Sequence, residues 1–241
     1  YYGTDKQVHH GAKFINLTTF SLWDTYRGAN PLFTVLQPER VSDMVNSMLA
    51  IYKQQGRLPV WHLMGNETNC MPGNSSIKDI DEDLAYEAMK ATTMLDLRGL
   101  KYVKQFGFIP ADSMVESVAM GMEYSISDAS IALMAKRRNN AEDYAYFSKR
   151  GEAYKNYFDP KVGFARGRLS KDEWREPYSP FIARHGKDDF TEGNGWQYTW
   201  LVPQDVEGLM NLMGGDKKFV AKLDSLFAAK GDMGAEASND I

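Results

Sequence analysis

Helical periodicity narrows the fold of this chain more than any other feature. Val41, Met44, Val45, Met48, Leu49 and Tyr52 recur at spacings of three and four, which gathers them on one face of an α-helix. Pro38 suits the first turn, where a missing N–H costs nothing. Gly56, with Pro59 beyond it, marks the stop. The same period predicts helices from about Asp83 to Leu97, from Ser113 to about Arg137, from about Ala141 to Tyr157, over Val206–Met213 and over Phe219–Phe227. The stretch 14–29 is expected to be helical as well. Ser113 and Glu116 have the spacing of a capping box ahead of the longest helix.

No strand-rich region stands out, so the chain reads as all-α. Helices paired head to tail, with Arg57–Ile80 and Gly163–Gly195 left as long irregular connections, suggest a toroid or bundle of helical hairpins. The helices are too few to close such a ring, so the toroid is incomplete here. Loops of that length in a compact domain usually carry function. No low-complexity linker divides the sequence, and 1–241 reads as part of one helical domain.

The formal net charge of -4 argues against a nucleic-acid surface, which is ordinarily basic. No apolar run is long enough for a membrane-spanning helix. Cys70 is the only cysteine, which excludes an intrachain disulfide and a thiolate metal cluster. His9, His10, His62 and His185 show no metal-ligand spacing, and no phosphate-binding glycine loop appears.

Three polar, aromatic-rich stretches remain. One, 18–27, sets Asp24 among Trp23, Tyr26 and Arg27. The next, 61–73, holds Trp61, Asn66 and Glu67. The last, 188–200, places Glu192 ahead of Asn194, Trp196 and Gln197 on a turn flexed by glycines. Sugar chemistry calls for this mixture. The apolar faces of a pyranose lie on aromatic rings, and its hydroxyls need paired donors and acceptors. Cleaving a glycosidic bond normally takes two carboxyl groups, one kept protonated by a desolvated site. Each carboxylate also has a plainer reading: Glu192 as a loop or helix-start carboxylate, Asp24 in a buried ion pair with Arg27, Glu67 as a loop hydrogen-bond acceptor.

The stretches 19–27, 64–68 and 191–198 resemble, in that order, the signature stretches of glycoside hydrolase family 92, and 203–206 and 223–227 look like those that follow. The resemblance implies a calcium-dependent exo-α-mannosidase, of α-1,2 type, that inverts the anomeric configuration. It implies an (α/α)6 catalytic domain, mannose-containing glycans as substrates, and a secreted, periplasmic or cell-surface location. The family's general acid maps to Glu192, and its ligand to the terminal mannose maps to Asp24. Asn66 and Glu67 border the same pocket, and Trp23, Arg27, Trp61, Asn194, Trp196 and Gln197 complete the expected substrate surface.

The pattern departs from the family in three places. The stretches that carry most calcium contacts and the aspartate base lie past Ile241, so no metal ligand is assigned within this chain. A small apolar helix is missing between Ile77 and Lys78, and the family's N-terminal β-sandwich is absent. These 241 residues are accordingly expected to be inactive by themselves, the remainder of the polypeptide completing the site. The alternative is a non-catalytic glycan-binding or assembly protein on an α/α toroid.

Overall fold

The computed structural model of the chain describes residues 1–18, 21–63, 65–67, 81–184 and 186–237. The chain forms two compact units, Tyr1–Leu95 and Asp96–Ile241.

The first unit holds α1 (Leu22–Thr25), α2 (Ala29–Leu36), α3 (Pro38–Gln55) and α4 (Glu82–Thr93), with a small hairpin of β1 (His62–Leu63) and β2 (Asn66–Glu67) between α3 and α4 in the chain. Helix α3 begins at Pro38 and closes on Gly56 at a left-handed φ of 77°, as its period predicts. Val41, Val45 and Leu49 bury their face against Ala85 and Ala88 of α4, while Leu22 of α1 packs on Met48.

Two expectations need correction here. The stretch 14–29 is not one helix. The N–H groups of Ile15 and Leu17 donate instead to the side chains of Asp43 and Ser47 on α3, each at 2.9 Å. Among the described residues of 14–28 only Leu22–Thr25 is α-helical, and α2 starts where the expected helix was to end. Helix α4 stops at Thr93, short of Leu97, because Met94 and Leu97 face solvent and no buried face prolongs it. Asp81 caps its start, accepting from the Leu84 N–H at 2.9 Å.

The second unit is built on a hairpin of α6 (Ser117–Arg137) and α7 (Ala141–Gly151), preceded by α5 (Leu100–Phe106). Asn140 caps α7 through the Asp143 N–H at 3.0 Å. The two helices approach closely at Gly151, where a Cβ would stand 3.0 Å from that of Ala129. A buried ion pair, Arg150 Nε to Asp128 Oδ2 at 2.8 Å, ties them. Beyond Gly151 the expected helix tightens into a 3-10 turn, Ala153–Asn156. That turn sends Tyr154 and Tyr157 into a core with Phe108, Val118, Met122, Phe190 and Tyr198. Tyr157 fits only because residue 121 is glycine: a Cβ there would lie 1.8 Å from the phenol oxygen.

The segment after the turn is less irregular than its sequence suggests. It holds two short antiparallel ladders, β3 (Phe158–Asp159) with β4 (Phe164–Ala165) and β5 (Arg168–Ser170) with β6 (Glu173–Trp174). Strands of two or three residues are too short for an alternation to show. Then follow α8 (Gly195–Tyr198), α9 (Val206–Leu212) and α10 (Asp216–Ala228). The fold class is all-α nonetheless.

The start of α6 also differs from expectation. Ser113 and Glu116 do not form a capping box. Glu116 sits at φ 59° with no side-chain cap, and the N–H groups of Val118 and Ala119 donate to the main-chain carbonyl of Asp189, at 3.0 and 3.1 Å. The helix is capped from a distant loop, and that loop leads to Glu192.

Candidate active site

In the first unit the polar stretches that begin at Thr18 and Trp61 come together between Thr18 and His62. Thr19, Phe20, Met64 and Thr68 lie outside the described residues. The Thr18 hydroxyl approaches His62 Nδ1 at 3.4 Å and so joins the two stretches. Asp24 is exposed and accepts a hydrogen bond from the Ser21 hydroxyl. It is not a member of a buried ion pair. Arg27 is exposed too, its guanidinium carbon 5.0 Å from the ring centroids of both Trp23 and Tyr26. Its Nε donates to the Trp23 carbonyl at 3.3 Å. Asp24 thus presents an exposed carboxylate, and the Trp23 and Tyr26 rings meet the Arg27 guanidinium.

Glu67 is built into the hairpin. Its two carboxylate oxygens accept the N–H groups of Val60 and Trp61, at 2.7 and 3.1 Å, and so shape the approach to the hairpin. This is the plainer of its two readings. Asn66 is exposed and takes a hydrogen bond from the Lys6 ammonium. His62 is buried across the ladder from Glu67. Burial lowers its pKa, the Glu67 carboxylate opposes that shift, and the Lys6 charge adds to it, so His62 is neutral at physiological pH. A cavity of about 490 Å³ in this unit is lined by Tyr1, Asp5, His9, Lys53, Gln54 and Asp81 among others. None of the sequence-predicted residues lines it.

In the second unit Glu192 lies on a tightly built loop. Asp188 and Asp189 anchor its start. The Asp188 carboxylate accepts the N–H groups of Arg184 and Phe190, at 2.7 and 3.0 Å. The Asp189 carboxylate accepts the Ser117 hydroxyl at 2.9 Å and pairs with Arg175 at 3.2 Å. Burial pushes both carboxyls above their usual pKa. For Asp189, Arg175 and Ser117 work against that, and for Asp188 the two N–H groups do. Downstream, the Tyr198 hydroxyl donates to the Thr191 carbonyl at 2.6 Å. Asn194 caps α8 reciprocally: its side chain accepts the Trp196 N–H, and its own N–H donates to Gln197 Oε1 at 2.9 Å. Asn194 Nδ2 also reaches the Phe181 carbonyl at 3.2 Å. The amides of Asn194 and Gln197 are thus engaged in building the loop.

Between these anchors Glu192 is half-buried at φ 46°, in the left-handed region that a residue with a Cβ rarely adopts. It is not a helix-start residue, since Asn194 fills that position. Among the described residues no hydrogen bond or ion pair engages its carboxyl. Trp196 stands edge-on to Phe164 at 4.7 Å and beside Phe181 at 5.8 Å. The Lys222 ammonium caps this aromatic group, 3.2 Å from the Phe164 centroid and 4.9 Å from that of Trp196. A cavity of about 330 Å³ next to the loop is lined by Arg175, Tyr178, Ser179, Arg184, Asp188 and Phe190 among others.

The residues that fix this loop, Asp188, Asp189, Arg175 and Ser117, carry no role in the sequence reading. The Asp-Asp pair directly ahead of Phe190 was the one available signal. Among the described residues, no group of three or more His, Cys, Asp or Glu side chains could hold a metal ion. Among these described residues the donor set does not fit calcium. Among the described residues no helix is long and apolar enough to cross a membrane.

Comparison with known proteins bears on all three stretches. The model of the glycosyl hydrolase family 92 catalytic domain matches residues 1–240. A family GH92 α-mannosidase of Bacteroides thetaiotaomicron, solved in complex with mannoimidazole, is 39% identical; the match covers 96% of this chain and 33% of that one, with a TM-score of 0.90. A family GH92 inverting mannosidase of the same organism is 30% identical over 93% of this chain and 32% of that one, with a TM-score of 0.83. A protein of Arthroderma benhamiae called an uncharacterized secreted glycosidase is 28% identical over 83% of this chain and 32% of its own length. The chain thus spans about a third of each of these relatives. The likeness bears out the all-α fold expected from the sequence.

Proposed function

From the glycosyl hydrolase family 92, to which this chain belongs, we propose that the full-length protein is an exo-acting, inverting α-mannosidase. It removes terminal mannose, α-1,2-linked by preference, from glycans outside the cytoplasm, N-glycans among them. Glu192 is the general acid. It donates its proton to the glycosidic oxygen as the bond to the anomeric carbon breaks. A base beyond these residues activates a water on the opposite face of the sugar, which attacks with inversion. Enzymes of this kind keep their two carboxyl groups roughly 6.5–9.5 Å apart to admit that water. Asp24 takes hydroxyls of the terminal mannose, and Trp23 offers its ring to an apolar face. The calcium dependence belongs to ligands elsewhere in the full-length chain.

One observation carries the assignment of Glu192. Its carboxyl has no partner among the described residues, and it rises from a strained φ in a loop secured on both sides. Such strain persists where the surroundings over-determine it, commonly at active sites. The test is Glu192→Gln in the full-length enzyme, which keeps the shape and removes the proton. A loss in kcat of about 10²–10⁴-fold is expected on a mannose disaccharide. A much smaller loss is expected on an aryl mannoside whose leaving group needs no protonation. An equal deficit on both substrates, or none on either, removes Glu192 from this role.

A further inference from the structure

We propose that Asp189 is the positioning residue for Glu192, an inference that rests on reading Glu192 as the general acid. A carboxyl that makes no hydrogen bond of its own is placed only as well as its backbone. The backbone of this loop is fixed most heavily at Asp189. Its carboxylate receives the Ser117 hydroxyl and the Arg175 guanidinium. Its carbonyl takes the N–H groups of Val118 and Ala119, the first turn of α6. It has no slack on the remaining side: a Cβ on Gly167 would stand 2.0 Å from its Oδ2. Asp188 extends the clamp, its carbonyl accepting the Glu116 N–H at 2.6 Å. One buried residue thereby joins α6, the segment after β6 and the chain between β4 and β5, just upstream of the strained Glu192.

A buried carboxylate is a costly way to hold a loop if any hydrophobic anchor would do. What it adds is a single geometry, set by two directed partners and a main-chain cap. Position matters at this residue because a misplacement of about 1 Å in a reacting group can cost about 10²-fold in rate. Phe190 and Thr191, which lie between the two, are held by the core and by Tyr198. A shift at Asp189 therefore passes to Glu192 with little room to dissipate.

The test uses the full-length enzyme with Asp189→Asn, Glu192→Gln and the double variant. Each is assayed on an α-linked mannose disaccharide and on a dinitrophenyl α-mannoside. Asp189→Asn is expected to lower kcat on the disaccharide about 10–10²-fold, to leave KM within about twofold, and to change the aryl mannoside rate little. Because Asp189 acts only through Glu192, the double variant is expected to be no slower than Glu192→Gln alone. An equal loss on both substrates, or a double variant slower than Glu192→Gln by the full Asp189→Asn factor, marks a purely structural residue and overturns the proposal. If Glu192→Gln itself shows no leaving-group dependence, the acid assignment fails and this proposal falls with it. If Glu192→Gln shows the dependence and Asp189→Asn does not, the positioning role alone fails. Should Asp189→Asn not accumulate as folded protein, Ser117→Ala, which deletes one hydrogen bond to the same carboxylate, is judged by the same pattern with a smaller factor.

Discussion

Single carboxylates in this chain do different work according to what their oxygens touch. Glu67 gives both oxygens to backbone N–H groups, and hydrogen bonds to a charged group are worth about 1.5–3 kcal/mol each at most. Glu67→Ala is expected to cost about 1–3 kcal/mol of stability in a denaturant titration and to act on kcat no more than its loss of folded protein explains. Lys222 shows a second kind of residue effect. Burial draws its pKa down to about 8 from an ordinary 10.5, although two ring faces favour the ammonium. A base with a depressed folded-state pKa penalises folding while it is charged. That penalty is full below pH 8 and fades as pH rises from 8 toward 10.5. Lys222→Met is therefore expected to raise the melting temperature at pH 7 and to flatten its rise over that alkaline window. The motif residues were legible in the sequence, and for Glu67 so was the plainer role it fills. The role of Asp189 was not, because its partners Arg175 and Ser117 reach it only through the fold.

Among the elements, the helices show best how far a period reaches. Helix α3 follows the spacing of its apolar residues closely, since it buries a continuous stripe; in α6 the buried residues include Ser125 and Asp128, while Leu133, on the face its period marks, is exposed. The boundaries that failed are those decided by other segments. Asp43 and Ser47 take the backbone of 15–17 out of a helix, and the Asp189 carbonyl replaces the capping box expected at Ser113 and Glu116. The ladders β3–β4 and β5–β6 were hidden because so few residues carry each strand. The hairpin of α6 and α7 supplies the sharpest test at this scale. Asp128 is fully buried and bonded to Arg150 Nε at 2.8 Å. Removing one partner strands a buried charge, so Asp128→Ala is expected to cost about 3–5 kcal/mol in unfolding followed by tryptophan fluorescence. A cost below 1 kcal/mol would show that the pair does not hold the hairpin.

For the whole molecule, the proposal is an enzyme of which these residues are one part. The chain spans about a third of its solved relatives, and Phe227 on α10 is 85% exposed. The family, the all-α class and the order of the signature stretches were all legible because long polar motifs survive where loop lengths change. The most direct measurement is the anomer that the full-length protein releases, followed by proton NMR in the first minutes of hydrolysis of an α-mannoside, before mutarotation. β-Mannose appearing first is the expected result, as a single displacement by water requires. α-Mannose appearing first, or no mannose released from a protein that still binds the glycan, contradicts an inverting mannosidase acting through Glu192.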